Sequence, residues 1–117
     1  MDLSKERERG MAGETVAAQY LLSIGYTILA RNYRKRCGEI DIIAKDGEYV
    51  VFAEVKCRSG WSAPREAVTP EKQLRLQRTA ELWIAEQDYG GFCRFDVLEV
   101  FLGCAHAPLV NHWRNAF

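Results

Sequence analysis

Residues 38–58 read GEIDIIAKDGEYVVFAEVKCR and contain two runs of strand-forming residues around a turn signal. The runs cover Glu39 to Lys45 and Glu48 to Arg58, and Asp46-Gly47 lies between them. Asp-Gly is one of the strongest short hairpin signals, because both central positions of a type I′ turn require positive φ. The stretch therefore predicts an antiparallel hairpin, formed by the second and third strands of the chain.

The predicted turn also determines the pairing across the hairpin. It places Asp41 opposite Phe52, and in the same register it places Glu39 opposite Glu54. Side chains alternate along a strand, so one face carries Glu39, Asp41, Ile43, Val50, Phe52, Glu54 and Lys56. The other face is entirely apolar and consists of Ile40, Ile42, Ala44, Val51, Ala53, Val55 and Cys57.

The charged face predicts a cation site, since an apolar opposite face makes the hairpin central and like charges are costly to bury without a cation. Asp41 and Glu54 are diagonal neighbours in this register, close enough to reach one ion. Carboxylate oxygens at an open site suit Mg²⁺ or Mn²⁺. Lys56 is placed to orient a water or to balance charge on a phosphate. The alternative is an edge hairpin whose charged face is simply solvated.

The flanking segments predict two helices and three more strands. Helical spacing gives a first helix from about Leu3 to Ile24, and Thr69 with Pro70 begins a second that ends near Tyr89. The remaining apolar runs predict strands at Tyr26 to Tyr33, Phe92 to Leu102 and Leu109 to Trp113. The order αβββαββ predicts an α/β fold with a mixed central sheet flanked by helices.

Charged residues on both helices leave alternatives open. Glu14 lies on the core-facing stripe of the first helix, where a glutamate either snorkels, pairs with an arginine or enters the acidic cleft. Lys72 begins the core-facing stripe of the second helix and either caps the core or faces the cleft. Arg75 and Arg78 fall off that stripe and are interpreted as a solvated face.

Basic residues also cluster just before the acidic hairpin, at Arg31, Arg34, Lys35 and Arg36. They form either a solvated turn or a patch that contacts phosphates. Trp61, in the loop after the third strand, either stacks on a base or packs over a helix.

Composition excludes several classes of protein. Sixteen basic and sixteen acidic residues among 117 give no net charge, so nucleic-acid binding requires a local patch. No apolar run approaches the roughly 20 residues of a membrane span, and the charged N-terminus is unlike a signal peptide, which favours a cytoplasmic protein. The four cysteines and two histidines, Cys104 and His106 included, lack paired zinc-ligand spacing. Phosphate-loop and Ser-His-Asp patterns are absent from the sequence.

The ordered motifs resemble a known family. Gly38-Glu-Ile-Asp41 and Glu54-Val-Lys56 resemble the Asp and Glu-x-Lys signature of restriction-endonuclease-like nucleases, which are related to archaeal Holliday junction resolvases. With Glu14 after Gly13 and with Arg31-Asn-Tyr-Arg34, the set resembles the YraN-like family of small bacterial proteins over nearly the whole chain.

This resemblance implies a restriction-endonuclease-like αβββαβ core, residues 1–117 as one domain, and a homodimeric endonuclease acting on DNA, including branched junctions. Asp41 and Glu54 would be ligands of Mg²⁺ or Mn²⁺, with Lys56 and Glu14 as catalytic residues. Glu39 is a further candidate, and the nucleic-acid contacts would come from Arg31, Arg34, Arg36, Arg58 and Lys72. The alternative is a catalytically silent module that binds nucleic acid or protein, and RNA as a substrate is not separated from DNA.

Overall fold

The computed structural model describes residues 3–59, 68–103 and 109–117, with side chains from residue 11 onward except that of Ser59. Its elements are α1 (Leu3–Ser23), β1 (Thr27–Lys35), β2 (Gly38–Asp46), β3 (Tyr49–Ser59), α2 (Pro70–Gln87), β4 (Phe92–Leu102) and β5 (Leu109–Trp113). Their order confirms the predicted one, and their ends differ from the predicted ends by at most two residues. Trp61, Cys104 and His106 lie outside the described residues.

The five strands form one mixed sheet in the order β1-β2-β3-β4-β5. β1, β2 and β3 are antiparallel neighbours, whereas β3 and β4 run parallel and β5 returns antiparallel. A parallel pair requires a crossover connection, and α2 lies in that connection. The predicted α/β class with a mixed sheet is confirmed.

Each face of the sheet is covered by one helix. Ala17, Ala18 and Leu21 of α1 pack on an apolar cluster of Ile42, Ala44, Val51, Ala53, Leu98 and Val100. Leu76, Ala80 and Trp83 of α2 pack on the other face with Ile43, Val50, Phe52 and Val97. Ile40 belongs to the α2 cluster, so its predicted place beside Ile42 is wrong. The strict alternation of β2 therefore fails between these two residues, at Asp41.

The hairpin turn lies one residue later than predicted. Asp46 remains in the strand and pairs with Tyr49, so Gly47 and Glu48 are the turn residues. Gly47 has a φ of 57°, and the first central position of a type II′ turn is the one that favours glycine. An ion pair of 2.9 Å between Asp46 and Arg94 holds Asp46 in the strand.

The predicted cross-strand pairs are therefore wrong. Phe52 pairs with Ile43 and not with Asp41, and Glu39 pairs with Arg34 of β1 and not with Glu54. The register differs by two residues. Because side chains have a period of two along β3, Glu54 and Lys56 keep their expected face. Asp41, where the alternation of β2 breaks, still lines the same cavity as Glu54.

The ends of α2 confirm the predicted start. Thr69 Oγ1 accepts the backbone N–H of Lys72 at 3.2 Å, and Pro70 is the first helical residue. Asp88 closes the helix in the left-handed conformation. Neither helix, over the residues described, is long and apolar enough to cross a membrane.

Candidate metal and nucleic-acid site

The sheet forks between β2 and β3. The pairing of these two strands runs from Asp46 and Tyr49 to Ile42 and Ala53. Beyond that pair, β2 continues in register with β1, and β3 continues in register with β4. Asp41 and Glu54 are the first residues past the last pair, so both carboxylates lie at this strand fork.

Asp41 bridges the fork with its side chain. Its Oδ2 accepts the backbone N–H of Val55 at 2.8 Å. Burial raises the pKa of Asp41, the negative charge of Glu54 raises it further, and together they outweigh the Val55 hydrogen bond to give a pKa of about 7. The raised pKa of Asp41 reflects, besides burial, the repulsion between its carboxylate and that of Glu54, and a bound cation would compensate both charges.

Glu54 is buried and is contacted by two lysines. Lys72 Nζ lies 2.7 Å from Glu54 Oε1, and Lys56 Nζ lies 3.9 Å from the same oxygen. Burial alone would lower the pKa of Lys72, but the hydrogen bond and charge of Glu54 raise it overall. Burial and the neighbouring Lys72 ammonium lower the pKa of Lys56. Lys56 is therefore the more readily deprotonated of the two.

A cavity of about 260 Å³ opens at the fork. Its lining consists of Gly38, Glu39, Asp41, Glu54, Lys72, Arg75 and Leu76. Arg75 is exposed, as expected of a solvated face, but it also borders the acidic residues. Lys72 faces the cleft and does not cap the core, which decides between the two alternatives that its spacing left open.

A larger cavity of about 630 Å³ lies at the turn end of the hairpin, lined by Leu29, Trp83 and Tyr89 among others. None of the predicted site residues is among its described lining residues. Asp41, Glu54 and Lys72 therefore line the smaller cavity and not the larger one.

Asn32 is a site residue that sequence reasoning missed. It has a φ of 54°, in the left-handed region, and the β1–β2 pairing passes from Arg31–Ile42 to Tyr33–Ile40 around it. With its amide nitrogen facing the carboxylates, the orientation that satisfies both amide atoms, it donates to Glu14 Oε2 at 2.9 Å and to Glu39 Oε1 at 3.3 Å. Asn32 thus connects α1 to β2 beside Asp41.

Glu14 reaches the site from α1 through this contact. It is half-buried, and its negative charge contributes to the raised pKa of Asp41. The close approach of α1 to the sheet occurs at Gly13, where a Cβ would lie 3.1 Å from Cys57 Sγ. Of the three alternatives for Glu14, the structure supports a position near the acidic cleft, with an asparagine as its partner.

Comparison with known proteins places this arrangement in a family. A family model described as "Uncharacterised protein family UPF0102" matches residues 13–100. The chain belongs to this family. It is 45% identical over 112 residues to a UPF0102 protein of Nocardia farcinica, covering 92% of this chain and 87% of the relative. A UPF0102 protein of Clostridium botulinum (strain Loch Maree) is 44% identical, with 95% and 94% covered.

The UPF0102 family is the one that the YraN-like resemblance indicated, so that prediction is confirmed. A UPF0102 protein of Symbiobacterium thermophilum is 53% identical over 97 residues, with 80% of this chain and 82% of the relative covered. The matched range includes the whole strand fork, from Glu14 and Asn32 to Lys72.

The predicted nucleic-acid contacts of this UPF0102 chain differ in exposure. Arg36 is exposed, and Arg34 is 75% exposed although it pairs with Glu39 at 3.0 Å. Arg31 Nη2 donates to Thr15 Oγ1 of α1 at 3.3 Å. Arg58 is mostly buried and lies 3.6 Å from Glu99. A phosphate-contacting role stays a prediction for all four.

The donor set fits a cation held by two carboxylates. Within the described ranges, no three Asp, Glu, His or Cys side chains converge closely enough to form a metal cage. Mg²⁺ does not require such a cage, because it is usually bound by one or two carboxylates together with waters and substrate phosphates. Asp41 and Glu54, hard oxygen donors side by side at an open cavity, match that requirement.

Proposed function

We propose that this UPF0102 protein is a divalent-metal-dependent endonuclease that hydrolyses phosphodiester bonds in DNA on a restriction-endonuclease-like core. The observation that supports this most strongly is the strand fork, where two neighbouring carboxylates and Lys72 line an open cavity and Lys56 lies 3.9 Å from Glu54. Opposed charges of this kind serve the hydrolysis of a phosphodiester, which needs charge stabilisation and an oriented water.

Asp41 and Glu54 would hold Mg²⁺ or Mn²⁺. When bound, the cation supplies charge stabilisation to the phosphate and acidifies a water. Lys56 lies beside Glu54, where it would orient the attacking water. Because its pKa is lowered, a larger fraction of Lys56 than of an ordinary lysine is in the neutral form that can accept a proton. Glu14, held by Asn32, adds negative charge next to Asp41.

The substrate would be bound by a local basic patch, because the chain has no net charge. Lys72 and Arg75 line the cavity, and the exposed Arg34 and Arg36 lie on the adjoining β1–β2 hairpin. The resemblance to resolvases suggests DNA, branched junctions and a homodimer, since a symmetric junction requires two cuts related by a two-fold axis.

A second candidate is a catalytically silent binding module on the same fold. The Lys72–Glu54 ion pair favours it, because that contact already compensates one of the two carboxylates. This alternative predicts that Asp41→Asn and Glu54→Gln leave nucleic-acid binding and cellular role unchanged.

The test is cleavage of branched, flapped and single-stranded DNA in Mg²⁺ or Mn²⁺. Lys56→Met is compared with Lys45→Met, which removes the same charge from an exposed position at the other end of the hairpin. We expect wild type and Lys45→Met to cleave, and Lys56→Met to lose about 100-fold or more in rate. Cleavage by Lys56→Met at the wild-type rate would overturn the assigned mechanism. No cleavage of any substrate, with binding intact in Asp41→Asn, would favour the silent module.

A further inference from the structure

The ammonium of Lys72 lies where the proposed function requires a cation. Its Nζ is 2.7 Å from Glu54 Oε1, a charge-assisted contact at the short end of the range for such pairs. Glu54 is only 7% exposed, so its carboxylate has little access to water. Without a bound metal, the Lys72 ammonium therefore replaces much of the water that would otherwise stabilise the Glu54 carboxylate.

Two lysines converge on one oxygen of Glu54. Lys56 is 3.9 Å from the same Oε1 that Lys72 contacts. Like charges at such close range repel, and the neighbouring ammonium contributes to the lowered pKa of Lys56. A divalent ion that bound Glu54 would repel both lysines, and the one with more freedom to leave would move.

Lys72 is the residue with that freedom. Its side chain is 41% exposed, against 22% for Lys56. It extends from the first turn of α2 on a flexible four-carbon stem, and it lines the cavity together with Arg75. Once released, its ammonium would lie at the cavity mouth beside a guanidinium, which is the chemistry that contacts a phosphate.

We propose that the Lys72 ammonium occupies the cation position at Glu54 in the absence of metal. It leaves Glu54 when a divalent ion binds and then contacts a phosphate of the nucleic acid. This inference rests on the proposed function, because it concerns the same carboxylates. The divalent ion and the nucleic acid thus bind cooperatively. By linkage, each raises the affinity of the other by the same factor.

The first test is a calorimetric titration of MnCl₂ into the full-length protein without nucleic acid. Wild type is compared with Lys72→Met, which keeps an unbranched side chain of similar length and removes its charge. Lys45→Met is the control for net charge. We expect Lys72→Met to bind Mn²⁺ about tenfold more tightly than wild type, a typical size for such a coupling, and Lys45→Met to bind as wild type does.

The second test measures coupling from the other side. A fluorescent DNA duplex is titrated with each protein, with and without Ca²⁺ at constant ionic strength. Ca²⁺ should strengthen DNA binding by wild type and by Lys45→Met about tenfold, and by Lys72→Met clearly less. Equal strengthening in all three proteins would overturn the proposed exchange.

The outcomes separate this inference from the proposed function. If wild type binds Mn²⁺ and Lys72→Met binds it no more tightly, the exchange is wrong while the metal site stands. If no protein binds Mn²⁺, with or without DNA, both proposals fail. Should Lys72→Met not fold, Lys72→Gln replaces it. In wild type, the ¹⁵N signal of the Lys72 ammonium should also change on addition of Mg²⁺, and an unchanged signal at saturating Mg²⁺ would contradict the exchange.

Discussion

The carboxylate of Asp41 accepts the backbone N–H of Val55 at 2.8 Å, across the point where β2 and β3 part. A buried backbone donor that loses its strand partner is costly unless another group accepts from it. The side chain of Asp41 thus stabilises the fork and keeps a negative charge next to Glu54.

This relationship predicts different effects for two substitutions of Asp41. The amide oxygen of Asn in Asp41→Asn can still accept from Val55, and the repulsion with Glu54 is gone, so its free energy of unfolding should match or exceed that of wild type. Asp41→Ala leaves the donor without its acceptor and should be about 1–3 kcal/mol less stable than Asp41→Asn. Urea unfolding in EDTA measures both values. Equal stability of the two variants would contradict this role.

Asn32 provides a second test, because its conformation and its hydrogen bonds can be separated. Asn32→Gly tolerates the positive φ but loses the amide, whereas Asn32→Ala loses the amide and also places a Cβ in the left-handed region, at a cost of about 1–2 kcal/mol. Asn32→Asp tolerates the conformation but adds a carboxylate between Glu14 and Glu39.

We therefore expect Asn32→Gly to be the most stable of the three variants in denaturant unfolding. Asn32→Asp should be less stable than Asn32→Gly at pH 7, because of like-charge repulsion. If Asn32→Asp were instead as stable as wild type, the amide would not be holding the two glutamates.

Gly13 and Cys57 determine how closely α1 approaches the sheet, and with it the position of Glu14. Alanine in place of glycine inside a helix is ordinarily stabilising by about 0.5–1 kcal/mol. Here a Cβ at residue 13 would lie 3.1 Å from Cys57 Sγ and 3.2 Å from Cys57 Cβ. Gly13→Ala should therefore forgo this gain, because the Cys57 side chain must shift by a few tenths of an ångström to admit the new Cβ.

A double-mutant cycle checks this packing. In a Cys57→Ala background the sulfur is absent, and Gly13→Ala should be more favourable than it is in wild type, although the Cβ of residue 57 remains. Additive effects in the cycle would show that the two positions do not interact.

Asp96 is an interior carboxylate away from the fork, and it anchors the C-terminal segment. Its Oδ1 accepts from Arg94 Nε at 3.0 Å and from the backbone of Asn115 at 3.0 Å, and its Oδ2 lies 2.7 Å from His112 Nε2. Burial would raise the pKa of Asp96, but the hydrogen bonds from His112 and Arg94 lower it overall. Its ionised form is the one that stabilises the fold.

Asp96→Asn should consequently lower the free energy of unfolding by about 3–5 kcal/mol at pH 7, as expected when one partner of a buried ion pair is neutralised. Because the pKa is lower in the folded protein, this contribution is complete above about pH 4 and is lost as the pH falls through the folded pKa. The difference in the free energy of unfolding between wild type and variant should stay constant from pH 7 to about pH 4 and narrow below that pH. Asp88→Asn, at an exposed left-handed helix end that Asn tolerates, should change stability little. A difference that does not narrow in acid would contradict the assigned ionisation.

Much of the fold was predictable from local patterns. Thr69, Pro70 and the alternation of β3 each carry their signal within a few residues, and the structure confirms them. The hairpin register was not predictable in this way, because Asp-Gly fits more than one type of turn. The turn that forms depends on the contact of Asp46 with Arg94, 48 residues away. The predicted face of Glu54 was correct despite this error, because the register shift was an even number of residues.

The contacts of the candidate site were less predictable. Asn32 acts through a positive φ and through carboxylates from two other elements, and neither leaves a periodic signal. Asn is nevertheless the non-glycine residue that best tolerates this conformation, so its place before the acidic hairpin could have drawn notice. Ile40 followed the pattern of alternation but not the structure, since the regular ladders on both sides of β2 are interrupted at Asp41.

The central claim is that Asp41 and Glu54 together hold a divalent cation. Calorimetric titration of Mn²⁺ into wild type and into the Asp41→Asn/Glu54→Gln double variant, each with and without a DNA duplex, tests it most directly. We predict binding by wild type, tightened by DNA, that is lost in the double variant while its fold is retained. Equal Mn²⁺ binding by the two proteins, or none by wild type even with DNA, would contradict the claim.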